Sequence, residues 1–149
     1  MLRRMLALPA ADRRLLLLAA SLQLLIAGLL RALPFGWLRR ALRVWRWLPA
    51  MGLNAVDAEA RIVRAVSVSS AHLGHWSTCL ASALTAELLA RLAGCDAKVR
   101  IGIAPAADRR ARFQAHAWVE SDGRVLCGAV VPWTYAPLSH AARRVGDAE

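Results

Sequence analysis

Lysine is nearly absent from this chain, since Lys98 is the only lysine among 20 basic residues and the others are arginine. Aromatic residues are also scarce, at 6%, whereas 58% of the residues are hydrophobic and 20% are charged. The apolar content excludes an intrinsically disordered chain, which cannot bury enough apolar surface to fold. A length of 149 residues suits one domain with a modest core.

Cysteine is limited to Cys79, Cys95 and Cys127, and no two of them have the CxxC spacing. An odd number without that spacing argues against both a disulfide framework and a zinc ribbon. A reducing cytoplasm is the natural setting for such a chain. We expect neither a metal ion nor another cofactor.

The sequence also lacks an uninterrupted apolar run of roughly 20 residues, the length that a membrane-spanning helix needs. The nearest candidate runs from Leu15 to Leu30 and is interrupted by Ser21, Gln23 and Gly28. It favours a buried helix or a helix on a membrane surface over a transmembrane span. The apolar run near the start is short and ends at Pro9, so a signal peptide is disfavoured. We therefore expect a cytoplasmic protein and leave a peripheral membrane contact open.

The net charge of +10 is unevenly distributed. Residues 1–50 hold nine arginines against Asp12 alone, whereas residues 51–149 hold eleven basic and nine acidic residues. The segment WLRRALRVWRWL is amphipathic and carries Arg39, Arg43 and Arg46 on one face. That face is either solvated or a surface for an acidic peptide, a partner or anionic lipid. No nucleic-acid-binding motif accompanies the charge, so we expect no nucleic-acid partner.

Hydrophobic periodicity divides the chain into helices followed by strands. A helix is predicted from about residue 58 to 68, and SSAHLGHW is predicted to be a loop. A second helix begins after a Ser77 or Thr78 cap and ends near Ala93, where Gly94 stops it. Then AKVRIGIA alternates with period two, and the strand from 113 to 120 and the strand from 124 to 131 form a hairpin. This order predicts an α+β fold, with a helical basic segment at 1–55 and the main domain at 56–149.

Two residues combine into a candidate site for nucleophilic chemistry. Cys79 begins the second helix, where free N–H groups and the helix dipole favour an anion and so activate a thiol as a nucleophile. His116 lies in the later aromatic strand and could act as its base. Each residue alone has a more ordinary interpretation, because a single cysteine is usually a small buried residue and a single histidine is usually structural.

The stretches WSTCLASALTAELLARLAG, VRIGIA and FQAHAWVESDGRVL resemble the transglutaminase-like cysteine peptidases of lasso-peptide biosynthesis, the B proteins. The resemblance covers about residues 61 to 131. It implies a papain-like, transglutaminase-like fold, Cys79 as nucleophile and His116 as general base and later general acid. It also implies that the substrate is a lasso-peptide precursor, from which the enzyme removes the leader peptide.

The resemblance has further implications for partners and supporting residues. Residues 1–55 have no room for a leader-recognition domain, so a separate leader-recognition protein is expected, together with a macrolactam cyclase similar to asparagine synthetase. Gln114 shares the His116 face of its strand and could donate to an oxyanion. Trp76 and Trp118 are expected to pack the cleft, and Cys95 and Cys127 are expected to be structural.

The family normally supplies an acid that orients the histidine, and this sequence has none at the expected position. A three-residue loop at residues 121–123, with Gly123 left-handed, would place His116 opposite Gly128. Asp122 would then lie roughly 20 Å from His116 along the strand and would serve the turn. A catalytically weak or inactive scaffold that binds the precursor or the cyclase is therefore the alternative function.

Overall fold

The structure is a computed structural model of the chain. The structure describes residues 8–44, 55–105, 113–128 and 135–137. The predicted arginine surface of Arg39, Arg43 and Arg46 lies outside the described side chains, and so does the predicted strand beyond residue 128.

Within the described residues, four α-helices precede a small antiparallel sheet, which confirms the predicted α+β class. The helices are α1 (Ala10–Ala32), α2 (Phe35–Val44), α3 (Ala55–Leu73) and α4 (Cys79–Leu92), with a short 3-10 turn at Gly74–Trp76. The strands are β1 (Ala97–Pro105), β2 (Phe113–Ser121), β3 (Arg124–Cys127) and β4 (Ala136–Pro137).

The core lies between the helices and one face of the sheet. Helix α1 contributes one leucine-rich stripe, α4 contributes small residues that let its backbone approach closely, and the sheet contributes Ala97, Val99, Ala117 and Val119. Ile26 of α1, Ile62 of α3 and Leu84 of α4 are each at most 2% exposed. Since α1 shares this core with α3 and α4, the first helix is an integral layer of the fold. The predicted division at residue 55 stays a prediction.

Helix α3 is longer than the sequence predicted. It begins at Ala55, keeps Asp57 in its first turn and continues to Leu73, so most of the predicted SSAHLGHW loop is helical. The serines at 67, 69 and 70 are poor helix formers. Tertiary hydrogen bonds of Ser69 and Ser70 stabilise them inside the helix instead.

The sheet has the strand order β3-β2-β1-β4. Strand β1 pairs with β2 so that Gly102 lies opposite His116 and Val99 opposite Val119. Strand β4 is two residues long and pairs with the outer edge of β1, with Gly102 opposite Pro137. The sequence did not predict β4, because a proline within so short a segment argues against a strand except at a sheet edge.

The predicted register of the β2–β3 hairpin is wrong. Asp122 and Gly123 form a two-residue turn with positive φ angles of 48° and 75°, which is the pattern of a type I′ turn. Ser121 therefore pairs with Arg124, and an irregularity between Val119 and Glu120 moves Val119 opposite Cys127. Because Leu126 is the additional residue in this bulge, Cys127 still packs against the core, beside Val119 rather than Ala117.

A buried amide ties the helical layer together. Gln23 of α1 is 0% exposed. Its Nε2 donates to the Val66 carbonyl oxygen at 3.2 Å and to the Ser69 hydroxyl. Its Oε1 accepts from the hydroxyls of Ser70 at 3.0 Å and Ser77 at 2.9 Å. We call Gln23 and these serines, with Ser82, the Gln23 network.

Helix α1 is also, among the described residues, long and apolar enough to cross a membrane by length and composition. It has 23 residues, and its most apolar 18-residue window has a mean hydropathy of 2.0 and is 39% buried in the protein. An ion pair between Asp12 and Arg61, at 2.6 Å, joins its first turn to α3. Length and composition therefore do not distinguish a core helix from a membrane helix here.

The Gln23 network makes a prediction about stability. Gln23→Met keeps the side-chain volume but removes both the donor and the acceptor, leaving buried serine hydroxyls without their partner. We expect the free energy of unfolding to fall by about 3 kcal/mol, because each unsatisfied buried polar group costs roughly 1–3 kcal/mol. Urea unfolding measures it. Ser21→Ala on the exposed side of α1 is the control, with an expected change within about 0.5 kcal/mol, and an equal effect of the two variants would contradict the prediction.

Candidate active site

Cys79 is the first residue of α4, as the sequence predicted. Thr78 is the N-cap residue, and its hydroxyl accepts from the Ala81 N–H at 3.1 Å. Gly94, with a φ of 84°, follows the other end. The Cys79 thiol is free and exposed. A cysteine at this position has access to solvent and lies beside the positive end of the helix dipole, as a nucleophile requires.

The segment that leads into Cys79 is fixed by the Gln23 network. The Ser77 hydroxyl lies 2.9 Å from the Ser82 hydroxyl in the first turn of α4, and it also donates to Gln23 Oε1. Ser82 in turn lies 3.0 Å from the Ser70 hydroxyl of α3. The backbone on both sides of Cys79 is thus tied to α1 and α3.

His116 lies on the opposite face of β2 from Ala117 and Val119. Gln114 and Trp118 share this face, since side chains alternate along a strand. The Tyr135 ring lies 5.5 Å from the His116 ring, and the Tyr135 hydroxyl accepts from Gln114 Nε2 at 2.8 Å. The His116 Nε2 atom is buried and has no hydrogen-bond partner in the part of the chain that the structure describes.

Gly102 allows this aromatic layer to lie directly on the sheet. It is opposite His116, and a Cβ at this position would come within 2.8 Å of the Tyr135 Cβ and 2.9 Å of the Trp118 ring. Trp118 is 2% exposed, and its Nε1 donates to Glu120 at 2.8 Å. The surroundings of the His116 imidazole are therefore mainly aromatic.

The lengths of α4 and β1 indicate that Cys79 and His116 lie at about the same level along these two elements. The chain reverses direction in the turn between α4 and β1. Along β1, Gly102 lies about 16 Å from the first residue of the strand, at ~3.3 Å per residue. The same distance back along α4 corresponds to about 11 residues at 1.5 Å each, which reaches the first turn of α4. No hydrogen bond joins the two side chains among the described residues, since the His116 Nε2 is unpartnered and Ala117 and Val119 occupy the face against the helices. Their catalytic pairing stays a prediction.

The predicted place for a missing acid is also wrong. With the bulge, Gly128 lies beside Trp118, where an added Cβ would be 3.0 Å from the Trp118 Cβ and 3.1 Å from the Ala117 carbonyl oxygen. The β3-side position opposite His116 is outside the described residues. Glu120 is the described carboxylate on the His116 face of β2, and it binds Trp118 and Arg100 instead. Asp122 lies in the type I′ turn, as a turn role requires.

The supporting residues fall in different places. Gln114 is exposed, and its amide donates to Tyr135, so that N–H is already engaged. Trp76 is 44% exposed and packs under the Arg31 guanidinium at 4.7 Å from the ring centre, on the α1 side of the molecule. The structure thus places Gln114, His116 and Trp118 on one face of β2, whereas the ring contacts of Trp76 are with His75 and Arg31.

Two residues of this region were missed as functional candidates from the sequence. Tyr135 has no local signal, because only the pairing of β4 with β1 brings it over His116. Gln23 does have one: it is an amide within an otherwise apolar run, and a polar residue in that position needs a buried partner.

A model of the transglutaminase-like superfamily matches residues 22–140. The chain belongs to this superfamily. The match begins inside α1 and extends past Tyr135, so this transglutaminase-like domain includes the Gln23 network, Cys79 and the whole sheet. No curated protein and no solved structure matches the chain.

The other two thiols of this transglutaminase-like domain are held in the protonated form more strongly than free cysteine. Burial raises the pKa of the Cys95 thiol, and the charges of Glu59 and Asp122 raise it further. Burial also raises the pKa of the Cys127 thiol, against a lowering by a hydrogen bond with the Gly128 backbone. Both thiols therefore have a smaller reactive thiolate fraction near neutral pH.

These shifts predict the order of alkylation. Because iodoacetamide reacts with the thiolate, Cys79 should be labelled first near pH 7. Labelling of Cys95 and Cys127 should rise only at more alkaline pH, since a raised pKa moves the appearance of the thiolate upward. Peptide mass spectrometry over a pH series measures the three rates. Labelling of Cys127 ahead of Cys79 at neutral pH would contradict the assignment.

The corrected hairpin places Gly128 against Trp118 and Ala117, so it predicts that a side chain at Gly128 destabilises the fold. Gly128 has a φ of 90° and close neighbours, so Gly128→Asp should reduce the free energy of unfolding by about 2–3 kcal/mol. Gly74→Asp is the control, because Gly74 also has a positive φ, of 53°, but open space around it. Denaturant unfolding of both variants separates crowding from backbone strain. A Gly128→Asp protein as stable as the Gly74→Asp protein would show that the Gly128 environment is less crowded than described.

Proposed function

We propose that this transglutaminase-like protein is a cysteine peptidase in which Cys79 is the nucleophile and His116 is the general base and acid. The observation that carries the proposal is the combination of an exposed Cys79 thiol at the capped N-terminus of α4 with a His116 Nε2 that is buried and has no hydrogen-bond partner among the described residues. A buried polar atom without a partner is rare and requires an explanation. A proton-transfer role supplies one.

The proposed reaction follows from these two groups. The Cys79 thiolate attacks the carbonyl carbon of the scissile peptide bond, and His116 carries the proton that the thiol has lost. When the C–N bond breaks, His116 gives this proton to the leaving amine, and a thioester joins the acyl part of the substrate to Cys79. Water then attacks the thioester, His116 accepts a proton from it, and the acid product leaves as the thiol is restored.

The structure requires a rearrangement before this chemistry can proceed. The sulfur and the imidazole must come within hydrogen-bond distance, and apo geometry often leaves catalytic hydrogen bonds long until substrate binds. Peptide binding at the exposed end of the sheet would bring the two groups together. The backbone around Cys79 is tied to the Gln23 network, so we assign the movement to the His116 side.

We propose a lasso-peptide precursor as the substrate, with the leader peptide as the acyl part and the core peptide as the leaving amine. This assignment rests on the motif resemblance of residues 61–131 rather than on the geometry. A separate leader-recognition protein would present the precursor. A cyclase similar to asparagine synthetase would then use the newly released amine to close a macrolactam.

A second candidate function is a non-catalytic scaffold that binds the precursor or the cyclase. One observation favours it: on the described residues, the His116 face of the sheet is packed with aromatic rings and carries no carboxylate bound to the imidazole. In a Cys–His–acid site the acid fixes the tautomer and orientation of the imidazole. A scaffold retains the fold and the exposed surface but has no need of this orientation.

The decisive test is cleavage of the cognate precursor in the presence of the separate leader-recognition protein. Cys79→Ala should abolish cleavage and leave the unfolding midpoint unchanged, because the side chain is exposed. Cys127→Ala is the matched control and should retain most of the activity. His116→Ala should reduce turnover by at least 100-fold, which is the usual scale of general acid–base catalysis. Mass spectrometry of the released leader measures each rate.

Trapping distinguishes the two candidate functions. With wild-type protein, the peptidase proposal predicts a leader adduct on Cys79 that is lost on mild hydroxylamine treatment, as a thioester is. Undiminished cleavage by purified Cys79→Ala would exclude the mechanism. Precursor binding without any adduct or cleavage by the wild-type protein would favour the scaffold.

A further inference from the structure

The outer face of α1 carries an exposed aliphatic strip. Leu17, Leu24 and Leu25 are 55%, 44% and 51% exposed and lie outside the buried stripe of α1 that contains Gln23. Just past the end of α1, Leu33 and Trp37 are also exposed, at 45% and 68%. We call these five side chains the α1 outer strip. Large apolar side chains in a contiguous exposed patch commonly mark an interaction site.

Arginines lie at both ends of this strip. Arg14 and Arg31 are exposed at the two ends of the uncharged stretch of α1, and Arg40 is exposed in α2 beyond Trp37. Arg31 also covers the exposed Trp76 ring at 4.7 Å. Residues 1–50 carry nine arginines against one acidic residue, Asp12, and Asp12 is paired with Arg61. The surface is therefore aliphatic along its middle and positively charged around it.

We propose that the α1 outer strip binds the surface of an anionic lipid bilayer, with α1 lying parallel to the membrane plane. The leucines would enter the boundary between headgroups and acyl chains, the arginines would contact lipid phosphates, and Trp37 would lie at the headgroup level. Charge complementarity favours a lipid surface as the partner. Its anionic headgroups match the arginines at both ends of the strip, and its acyl chains match the leucines between them.

The inner face of α1 excludes a transmembrane orientation of the folded protein. Gln23 is fully buried and bonded to α3 and to Ser77, and Asp12 is paired with Arg61. Insertion across the bilayer would break these contacts and leave the Gln23 amide in hydrocarbon, where each unsatisfied polar group costs several kcal/mol. Only the outer half of the helix is free to meet lipid.

Co-sedimentation of the full-length protein with vesicles tests the proposal. We expect binding to phosphatidylcholine vesicles that contain 30% phosphatidylglycerol and at least tenfold weaker binding to pure phosphatidylcholine. Raising NaCl from about 0.1 M to 0.5 M should release most of the protein, because exposed charge contacts are screened. Equal binding to both vesicles, or no binding to either, would overturn the proposal, and retention through a carbonate wash would indicate a spanning helix instead.

Matched variants locate the surface. The double variant Leu24→Ser/Leu25→Ser should weaken vesicle binding at least tenfold, whereas Val68→Ser, which changes a partly exposed apolar residue of α3, should not. Arg14→Gln should weaken binding about fivefold, the effect of roughly one surface arginine, and Arg64→Gln on α3 should have less effect. Circular dichroism checks that each variant is folded. If the leucine variant is unfolded, the comparison of Arg14→Gln with Arg64→Gln still tests the proposal.

A second copy of the chain is the competing occupant. Sedimentation velocity without lipid distinguishes it: the lipid proposal predicts that the wild type and the Leu24→Ser/Leu25→Ser variant sediment as the same species. A wild-type dimer that the leucine substitutions dissociate would assign the strip to self-association and overturn the proposal. Precursor cleavage by a protein that binds no vesicles would refute only the lipid surface, so the peptidase function and this proposal fail independently.

Discussion

The structure depends on the requirement that a buried amide must have hydrogen-bond partners. Gln23 is fully buried in α1, and its donors and acceptor reach α3 and the segment that precedes α4. An apolar residue here would allow α1 to rotate or slide over the other helices with little change in buried area. The amide instead specifies one rotation of α1, which faces its leucine stripe to the core and leaves the outer strip exposed. It also fixes Ser77, and so the direction in which the first turn of α4 presents Cys79.

The sheet imposes a second constraint through its two faces. Alanine and valine side chains cover the face against the helices, and the other face carries Gln114, His116 and Trp118 beneath Tyr135. Gly102 is the residue that permits this arrangement, because any side chain there would displace the rings. His116 is therefore held by aromatic packing, whereas the usual site of the family holds its histidine with a carboxylate. Aromatic packing of this kind fixes the ring plane, and no carboxylate among the described residues is bound to the imidazole.

Sequence signals that act over a few residues made α4, β1 and β2 predictable. The Thr78 cap, the Gly94 stop and the alternation of β1 depend on residues close to one another in the chain, so the helix that begins at Cys79 and the strand that holds His116 were predicted. The β2–β3 register was not, because Asp122-Gly123 suits several turn lengths and nothing in the sequence marks Leu126 as a bulge. The hydrogen bonds of Gln23 reach residues that are 43 to 59 positions away in the chain. Such contacts follow from tertiary packing, and the sequence showed only that the amide was unusual.

The two surfaces of α1 meet close to the candidate nucleophile. Arg31 lies at the edge of the outer strip and covers Trp76, which precedes the Ser77 and Thr78 pair. Ser77 in turn is bonded to Gln23 on the inner side of the same helix. The short segment before Cys79 is thus held from both sides of α1, by a cation–π contact at the surface and by a hydrogen bond in the core. The Gln23 side chain is fully buried whereas Trp76 is 44% exposed, so the hydrogen bond is the less solvent-screened of the two contacts that position the segment before Cys79.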